Sequence, residues 1–470
     1  MAKAHPLGMA CVTSSWEWIP AKHLQILNEE LCDVAAGKTT RLIVTLPPRH
    51  GKSELISHYF PAWFIGRFSR KKVILASYEA SFAEEWGAKA RDLLLEWGEA
   101  IFGVTLKKTA ANKWTTRQGG GMQTAGVGGA ITGKGAHVFI IDDPVKNAEE
   151  ASSPVYRKKA WDWYRSTAYT RLEPGGALIL VMTRWNEDDM AGRIIKQAGG
   201  SMRGWKILNI PATCEDETQP IEQRLGRKNG DALWDARYNK ATLENIRQEI
   251  GSYWYSALYQ QRPAPLEGNI FKREWFNYYQ TLYIENEKGE QEIVYELHTK
   301  NGIVRREAKA CWILGTMDLA VSEEAEADFT VVSVFAVTEF NEIIWLECAE
   351  TKIQGPDQPK LAWDMYNKWQ MDYMGVEDTG YQLSLVQDLM REGMAVKRIR
   401  AERNKIATAI TASVRYENGK IFHPYQAHWL VGAESQLISF PNAGHDDIKD
   451  TVSMAAIEVG GAVQDLLRTL

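Results

Sequence analysis

From about residue 38 to residue 210, short apolar runs alternate with stretches whose apolar residues recur at helical spacing. The runs are Arg41–Leu46, Lys72–Ser77, His137–Ile141, Ala177–Met182 and Lys206–Ile210. Continuous aliphatic or β-branched runs of this length, separated by helices, are the pattern of strands buried on both faces, and they predict a mainly parallel sheet. Between Asn112 and Gly135 lies a glycine-rich insert, GGGMQTAGVGGAITGKG, for which extended strands and turns beside that sheet are expected. The stretch Glu54–Phe64 has helical spacing. A polar zone from about Thr213 to Arg237 leads into a helical stretch ending in YQQRPAPLEGN. Pro263, Pro265 and Gly268 cannot continue a helix, so the domain boundary is expected there.

Past that boundary the rhythm changes. Trp312–Leu319, Thr330–Ala336 and Glu342–Cys348 follow one another closely, as consecutive antiparallel strands do. Then come a helical pattern near Lys360–Trp369, a strand at Tyr373–Glu377, a helix from Leu383 and a strand at Ala395–Ile399. A three-strand meander followed by alternating helices and strands is the element order of a ribonuclease-H-like domain. No internal repeat or low-complexity tract is present.

Composition narrows the classes. The 470 residues carry 55 basic and 60 acidic side chains, a formal net charge of −5, with 24% charged and 45% hydrophobic residues. Those are the proportions of a globular protein of two to four folding units, and they speak against a polybasic nucleic-acid coat. No apolar run approaches the roughly 18–20 residues of a membrane-spanning helix. The start, MAKAHPLGMACV, has no sustained apolar core, so no secretory signal is expected. Five cysteines without a CxxC pair and nine histidines without an HExxH pairing point to free thiols in a reducing cytoplasm and to no structural metal.

Two groups of residues carry chemistry. Arg41–Leu46 runs into PPRHGKS and then into a helix. Strand, tight loop, GKS and helix is the layout of a phosphate-binding loop, in which backbone N–H groups of Arg49, His50 and Gly51 face phosphates, Lys52 reaches the β/γ oxygens, and the Ser53 hydroxyl coordinates Mg²⁺. A bare GKS also serves as a helix N-cap, so its partner motif matters. HVFIIDDP ends a strand in two carboxylates: Asp142 is placed to hold Mg²⁺, and Asp143 to orient or deprotonate an attacking water. Arg49 is a candidate for charge stabilisation in cis, and Lys134 for reaching a γ-phosphate on a neighbouring subunit. Thr183 follows the next strand, where a polar residue can sense the γ-phosphate.

The second group follows the boundary. Asp318 ends one strand and Asp328 opens the next; Glu377 and Asp378 end a third; Asp446, Asp447 and Asp450 open a helix. Three acidic clusters spread along the sequence can converge on two Mg²⁺ or Mn²⁺ ions, as phosphodiester cleavage requires. N-capping explains Asp447 or Asp450 equally well. Lys397, Arg398, Arg400, Arg403 and Lys405 fall close together and either track a DNA backbone or form a solvated face. Most of the 18 tryptophans, Trp161 and Trp163 among them, are expected in packing rather than base stacking.

The chain resembles the large terminase subunit of tailed bacteriophages and prophages. The strings that carry the resemblance are LIVTLPPRHGKSE, GVGGAITGKGAHVFIIDDP, VMTRW, YQQRPAPLEGNIFKREWF, the DLA…ADFTVVSV pair, GVEDTGYQ and GHDDIKD, running from about residue 20 to 455. The resemblance implies an α/β protein: a P-loop packaging ATPase domain with a mainly parallel sheet over residues 1–210, a lid or linker over 211–265, and a ribonuclease-H-like nuclease domain over 266–470. It implies ATP-driven translocation of double-stranded viral DNA into a procapsid and metal-dependent cleavage of concatemeric DNA. The cofactors implied are ATP with Mg²⁺, and two Mg²⁺ or Mn²⁺ ions in the nuclease. The partners implied are double-stranded DNA, a small terminase subunit, and the portal of the procapsid, on which the chain forms a homo-oligomeric ring, with no membrane. The place of action is the bacterial host cytoplasm. Residue by residue, Lys52 and Ser53 take phosphate and Mg²⁺, Asp142 and Asp143 form the Walker B pair, and Thr183 the coupling motif. Asp318, Glu377 or Asp378, and Asp446 or Asp447 form the nuclease metal site. Asp143 is one methylene shorter than the glutamate frequent at its place. Two other readings stand beside this one: a helicase-like remodeller with an inactive nuclease-like domain, and a non-enzymatic DNA-binding scaffold.

Overall fold

The computed structural model describes residues 1–129, 131, 135–198, 204–264, 270–285, 289–319, 329–353, 357–378, 383–400, 405–442 and 446–460. The chain divides into two compact units. The first comprises Met1–Arg247 with Trp254–Ala264, and the second comprises Gln248–Tyr253 with the described residues after Ala264. Within Lys240–Trp254 the helical backbone is broken at Gly251, whose φ of 76° and ψ of 165° suit glycine.

The first unit is built on an eight-stranded sheet: β1 (Arg41–Thr45), β2 (Lys72–Ser77), β3 (Leu106–Ala110), β4 (Lys113–Thr116), β5 (Gly121–Gly126), β6 (Ala136–Asp142), β7 (Leu172–Met182) and β8 (Lys206–Asn209). Their order across the sheet is β3-β4-β5-β2-β6-β7-β1-β8. The five apolar runs form β1, β2, β6, β7 and β8, and every neighbouring pair among them is parallel. Alternate residues feed two apolar layers. Val73, Leu75, Val138 and Ile140 pack with the helices Lys22–Ala35, Phe60–Arg67 and Ala80–Phe102. Ile74, Ala76, Phe139 and Ile141 pack with Pro154–Trp163 and Met190–Ala198. Burial on both faces is why these strands read as unbroken apolar runs.

The glycine-rich insert lies in the sheet rather than beside it, which corrects the expectation. β5 pairs parallel with β2, and β4 pairs antiparallel with β5. Gly121 permits this, because a Cβ there would stand 2.1 Å from the Trp114 carbonyl oxygen on the neighbouring strand.

The second unit holds a nine-stranded sheet: β9 (Asn277–Glu285), β10 (Gln291–Thr299), β11 (Gly302–Glu307), β12 (Trp312–Asp318), β13 (Thr330–Val337), β14 (Ile343–Thr351), β15 (Tyr373–Asp378), β16 (Val396–Arg400) and β17 (Ile421–Pro424). The order is β11-β10-β9-β17-β14-β13-β12-β15-β16. β12, β13 and β14 are the expected antiparallel meander. β15 joins β12 in parallel and β16 joins β15 in parallel. The stretch β14-β13-β12-β15-β16 is the five-strand arrangement of a ribonuclease-H-like domain, and with the P-loop sheet it gives the fold class expected from the sequence. The helix Asp447–Val459 packs across β12 and β13, where Thr316 donates to the Thr451 carbonyl at 3.0 Å. The extension through β17 to β9–β11 lies outside the elements expected from the sequence.

Candidate nucleotide and carboxylate sites

In the first unit β7 stands between β1 and β6, and the register aligns Thr45 with Met182 and Val181 with Asp142. The loop after β1, the acids after β6 and Thr183 after β7 therefore meet at the carboxyl ends of three adjacent parallel strands. Ligands of open α/β sheets bind at such edges. The loop turns through Arg49 and Gly51, both left-handed with φ of 59° and 84°. Arg49 is exposed, whereas Lys52 is buried.

Lys52 Nζ lies 3.5 Å from Asp143 Oδ2. The other oxygen of Asp143 accepts the Thr183 amide at 2.9 Å, and the Thr183 hydroxyl donates to the Leu46 carbonyl at 3.3 Å. Asp143 itself is held at φ 42°, a conformation uncommon for a residue with a Cβ. The two strand-end motifs and the Thr183 position thus form one closed set of contacts. Asp142 is fully buried; Ser53 donates to its Oδ1 at 3.0 Å and Ser57 to its Oδ2 at 2.6 Å. Burial, then the charge of Asp143, pushes the Asp142 carboxyl up to about 7, against the pull of Ser57, Lys52 and Ser53. A carboxylate held at this cost beside a lysine and two hydroxyls is suited to a divalent cation, whose charge relieves the repulsion with Asp143.

Sequence reasoning missed Ser57. Its only signal is its place four residues after Ser53, and the Glu54–Tyr59 segment is π-helical rather than α-helical, giving way to α geometry at Phe60–Arg67. His50 turns inward: its Nδ1 meets the Pro48 carbonyl at 2.7 Å, and its ring stacks on Tyr238 with centroids 4.8 Å apart. Burial drives its pKa down to about 3, so the ring is neutral. His23, whose burial likewise lowers its pKa to about 4, reaches the His50 carbonyl at 2.9 Å and fixes the loop from the other side.

The YQQR string also serves the site, for which the sequence reading had assigned it no part. The Ala212 amide donates to the Tyr259 carbonyl at 2.7 Å. Gln260 bonds both backbone groups of Thr213, at 3.0 and 3.1 Å. Gln261, left-handed at φ 57°, accepts the Arg184 amide at 3.1 Å, and Arg184 pairs with Asp189 at 2.7 Å. The backbone after Thr183 is therefore tied directly to the chain segment that ends the unit.

In the second unit β12 and β15 are neighbours, which brings Asp318 and Glu377 together at their ends. Asp318 is pushed well above the usual carboxylate range by burial, then by the charges of Asp450, Glu377 and Asp447. Burial and Asp450 raise Glu377 as well. Asp450, for which N-capping was the alternative reading, is thus the leading charge on both. Asp447 is buried and its Oδ2 accepts the Phe329 amide at 3.4 Å. Asp446 N-caps the helix by position and faces Lys405, which bonds its two oxygens at 2.8 and 2.9 Å and reaches Asp450 at 3.2 Å. Lys449, fully buried, bonds Asp450. The donors are hard carboxylates, yet Lys405 and Lys449 each already pair with Asp446 and Asp450, and among the described residues no three acidic, histidine or cysteine groups stand at metal-holding spacing. The side chains of Asp378 and Arg400, and all of Lys134, Asp328 and Arg403, lie outside the described residues. Of the proposed basic track, Lys397 is bound to Glu458 and Lys405 to the acids, so those two are counter-ions and not free for a DNA backbone.

The sequence model of a family described as terminase large subunit, T4likevirus-type, N-terminal, matches residues 43–278. No curated protein matches the chain. Among solved structures, the large terminase of a thermophilic bacteriophage in complex with ADP is similar, with 11% identity and a TM-score of 0.47, covering 91% of this chain and 98% of that one. The HK97 bacteriophage large terminase aligns at 12% identity and a TM-score of 0.33 over 82% of this chain and 81% of that one. The large terminase nuclease from thermophilic phage G20c with bound magnesium aligns at 14% identity and a TM-score of 0.29 over 41% of this chain and 98% of that one.

Proposed function

Because that model matches half of its length, the chain belongs to the terminase large subunit family, and from this premise we propose that it is an ATP-driven motor for double-stranded viral DNA with an attached endonuclease. We divide it into an ATPase over residues 1–210, a lid over 211–265 and a nuclease over 266–470, working as a ring on the portal of a procapsid with a small subunit, in the bacterial host cytoplasm. The observation that carries the motor reading is the closed set of contacts joining Lys52, Asp143 and Thr183, beside the Ser53–Asp142–Ser57 group.

ATP with Mg²⁺ supplies the transferable phosphoryl group and the charge that balances Asp142 when bound. Lys52 would exchange Asp143 for the β/γ oxygens, and Ser53 and Asp142 would hold the cation. Freed of Lys52, the Asp143 carboxylate orients water for in-line attack and accepts its proton. Thr183, bonded to Asp143, changes position with it. Arg184 and Gln261 pass that shift to residues 255–264.

The nuclease reading rests on the mutual influence of Asp318 and Glu377, at strand ends of a ribonuclease-H-like sheet, and Asp447 and Asp450, in the first turn of a helix. Lys405 and Lys449 already pair with Asp446 and Asp450 there. Two substitutions test both halves. Lys52→Ala abolishes ATP turnover and leaves Mn²⁺-dependent plasmid nicking; Asp318→Ala does the reverse. A wild-type protein that never hydrolyses ATP in the presence of DNA sinks the motor, and one that never nicks plasmid with Mg²⁺ or Mn²⁺ sinks the nuclease.

A further inference from the structure

The net charge of −5 conceals an uneven distribution. No aspartate or glutamate occurs from residue 55 to 78 or from residue 100 to 141, and besides Lys134, outside the described residues, these stretches carry Arg67, Arg70, Lys71, Lys72, Lys107, Lys108, Lys113 and Arg117. The sheet order makes the two stretches neighbours: β2 lies beside β5, β5 beside β4, and β4 beside β3. The turn before β2 is bonded to the turn between β4 and β5, with Thr116 Oγ1 donating to the Ser69 carbonyl at 2.6 Å and the Gly121 amide to the Lys71 carbonyl at 3.0 Å. All eight cations are exposed, and among the described residues none of them forms an ion pair.

Register sorts these cations onto faces. Lys72 pairs with Gly121, Gly121 with Thr115, and Thr115 with Lys108, so these positions lie side by side on one face. Lys113 and Gln123, two residues along, share it. The helix Ala80–Phe102 covers β2, β3 and β5 from the opposite face, into which Trp114 is buried. On the near face Lys72, Lys113, Thr115 and Gln123 border an open cleft of about 170 Å³. Glu173 is the carboxylate that acts on His137 nearby; burial lowers that histidine, and Lys71 and Lys72 lower it further.

We propose that this face of the nucleotide-binding unit docks the phosphate backbone of duplex DNA, with Lys72, Lys108 and Lys113 as contact residues and Arg70, Lys71 and Arg117 at its rim. The proposal rests on the motor reading and adds to it the place where the motor unit itself touches its track. Three strand spacings separate Lys72 from Lys108, about 14 Å, over which a duplex presents several charges, one per about 1.7 Å of axis. Ile74 on this face is buried, and the strand residues of the face that reach solvent are lysine, threonine, glutamine, glycine and alanine. With no exposed aromatic or large aliphatic group among them, the face lacks the apolar centre of a protein interface. It also lacks an element that reads base edges, so it grips without regard to sequence.

The test uses the full-length protein, a random-sequence duplex and fluorescence anisotropy across a KCl series. Substituting Lys72, Lys108 and Lys113 together by alanine flattens the slope of log Kobs against log salt by about 2.7 and weakens binding on the order of 10²-fold at 0.1 M salt. DNA-independent ATP turnover is unchanged, and the three lysine-to-arginine substitutions restore both slope and affinity. A matched alanine triple at Lys22, Lys38 and Lys240 changes the slope by less than one. Wild-type affinity and slope in the first triple, or an equal loss in the matched triple, overturns the proposal and leaves the motor reading standing. A wild-type protein that hydrolyses no ATP defeats the motor reading and not this surface.

Discussion

Replacing Asp142 by asparagine is expected to make the nucleotide-free protein more stable while abolishing its ATPase activity. Asp142 is fully buried and its carboxyl is raised from 3.8 to about 7, first by burial and then by Asp143. At 1.36 kcal/mol per unit, holding it ionised at pH 8 costs about 4 kcal/mol. Asparagine is isosteric and bonds both serine hydroxyls, because a hydroxyl donates or accepts. The pull of Lys52 is already contained in that shift, so a gain approaching about 4 kcal/mol is expected at pH 8, or a Tm rise of about 8–16 °C for a unit of this size. The sign follows from proton binding. Between about pH 4 and pH 7 the folded protein holds a proton on Asp142 that the unfolded chain has released, so wild-type stability falls as pH rises through that window and levels off above it. The variant lacks this component, and its advantage grows from near zero at pH 4 to full size at pH 8. Scanning calorimetry of both proteins in EDTA from pH 4 to 8 measures the gap. A gap that is absent at pH 8, or that does not vary with pH, refutes the reasoning.

Two further predictions concern neighbouring contacts. Gln261→Ala removes the acceptor of the Arg184 amide; steady-state kinetics are expected to show kcat for ATP falling roughly tenfold with KM within about twofold, since the contact serves the step after binding. Lys405→Ala leaves Lys449 as the remaining cation of Asp446 and Asp450; the apparent Tm falls in EDTA by an amount set by about 1 kcal/mol, because Lys405 is more than half exposed, and millimolar Mn²⁺ recovers more of it than it adds to the wild type.

Features set by local sequence were legible before any coordinates. PPRHGKS and HVFIIDDP sit on strands whose unbroken apolar character reports burial on both faces, so the sheet and its loaded edge followed from pattern alone. Ser57 and Gln261 were not legible, because each acquires its role from a partner far along the chain: Asp142 for one, Arg184 for the other. Asp450 was legible as one acid of the cluster, with N-capping as its alternative; Asp446 takes the N-cap position, and the charge of Asp450 acts on Asp318 and Glu377. Strands β9–β11 escaped notice because sequences such as QEIVYELHT and GIVRRE mix charge with apolar residues on a half-exposed ribbon. The four residues of β17 are too short to carry a period, although Phe422 and His423 are fully buried.

The wide turn after the phosphate-binding loop has a mechanical consequence. In the Glu54–Tyr59 segment the bond closing the turn runs from the Phe60 amide back to the Leu55 carbonyl, five residues apart. Ser57 follows Ser53 by four residues, about one turn on, and one carboxylate holds both hydroxyls at once. If Ser53 turned from Asp142 toward a cation, the segment would keep only the Ser57 bond to that carboxylate, and winding to α geometry would rotate the buried face of Phe60–Arg67 against the core. The first movement of the stroke would be a change of thread in a screw, begun by one hydroxyl.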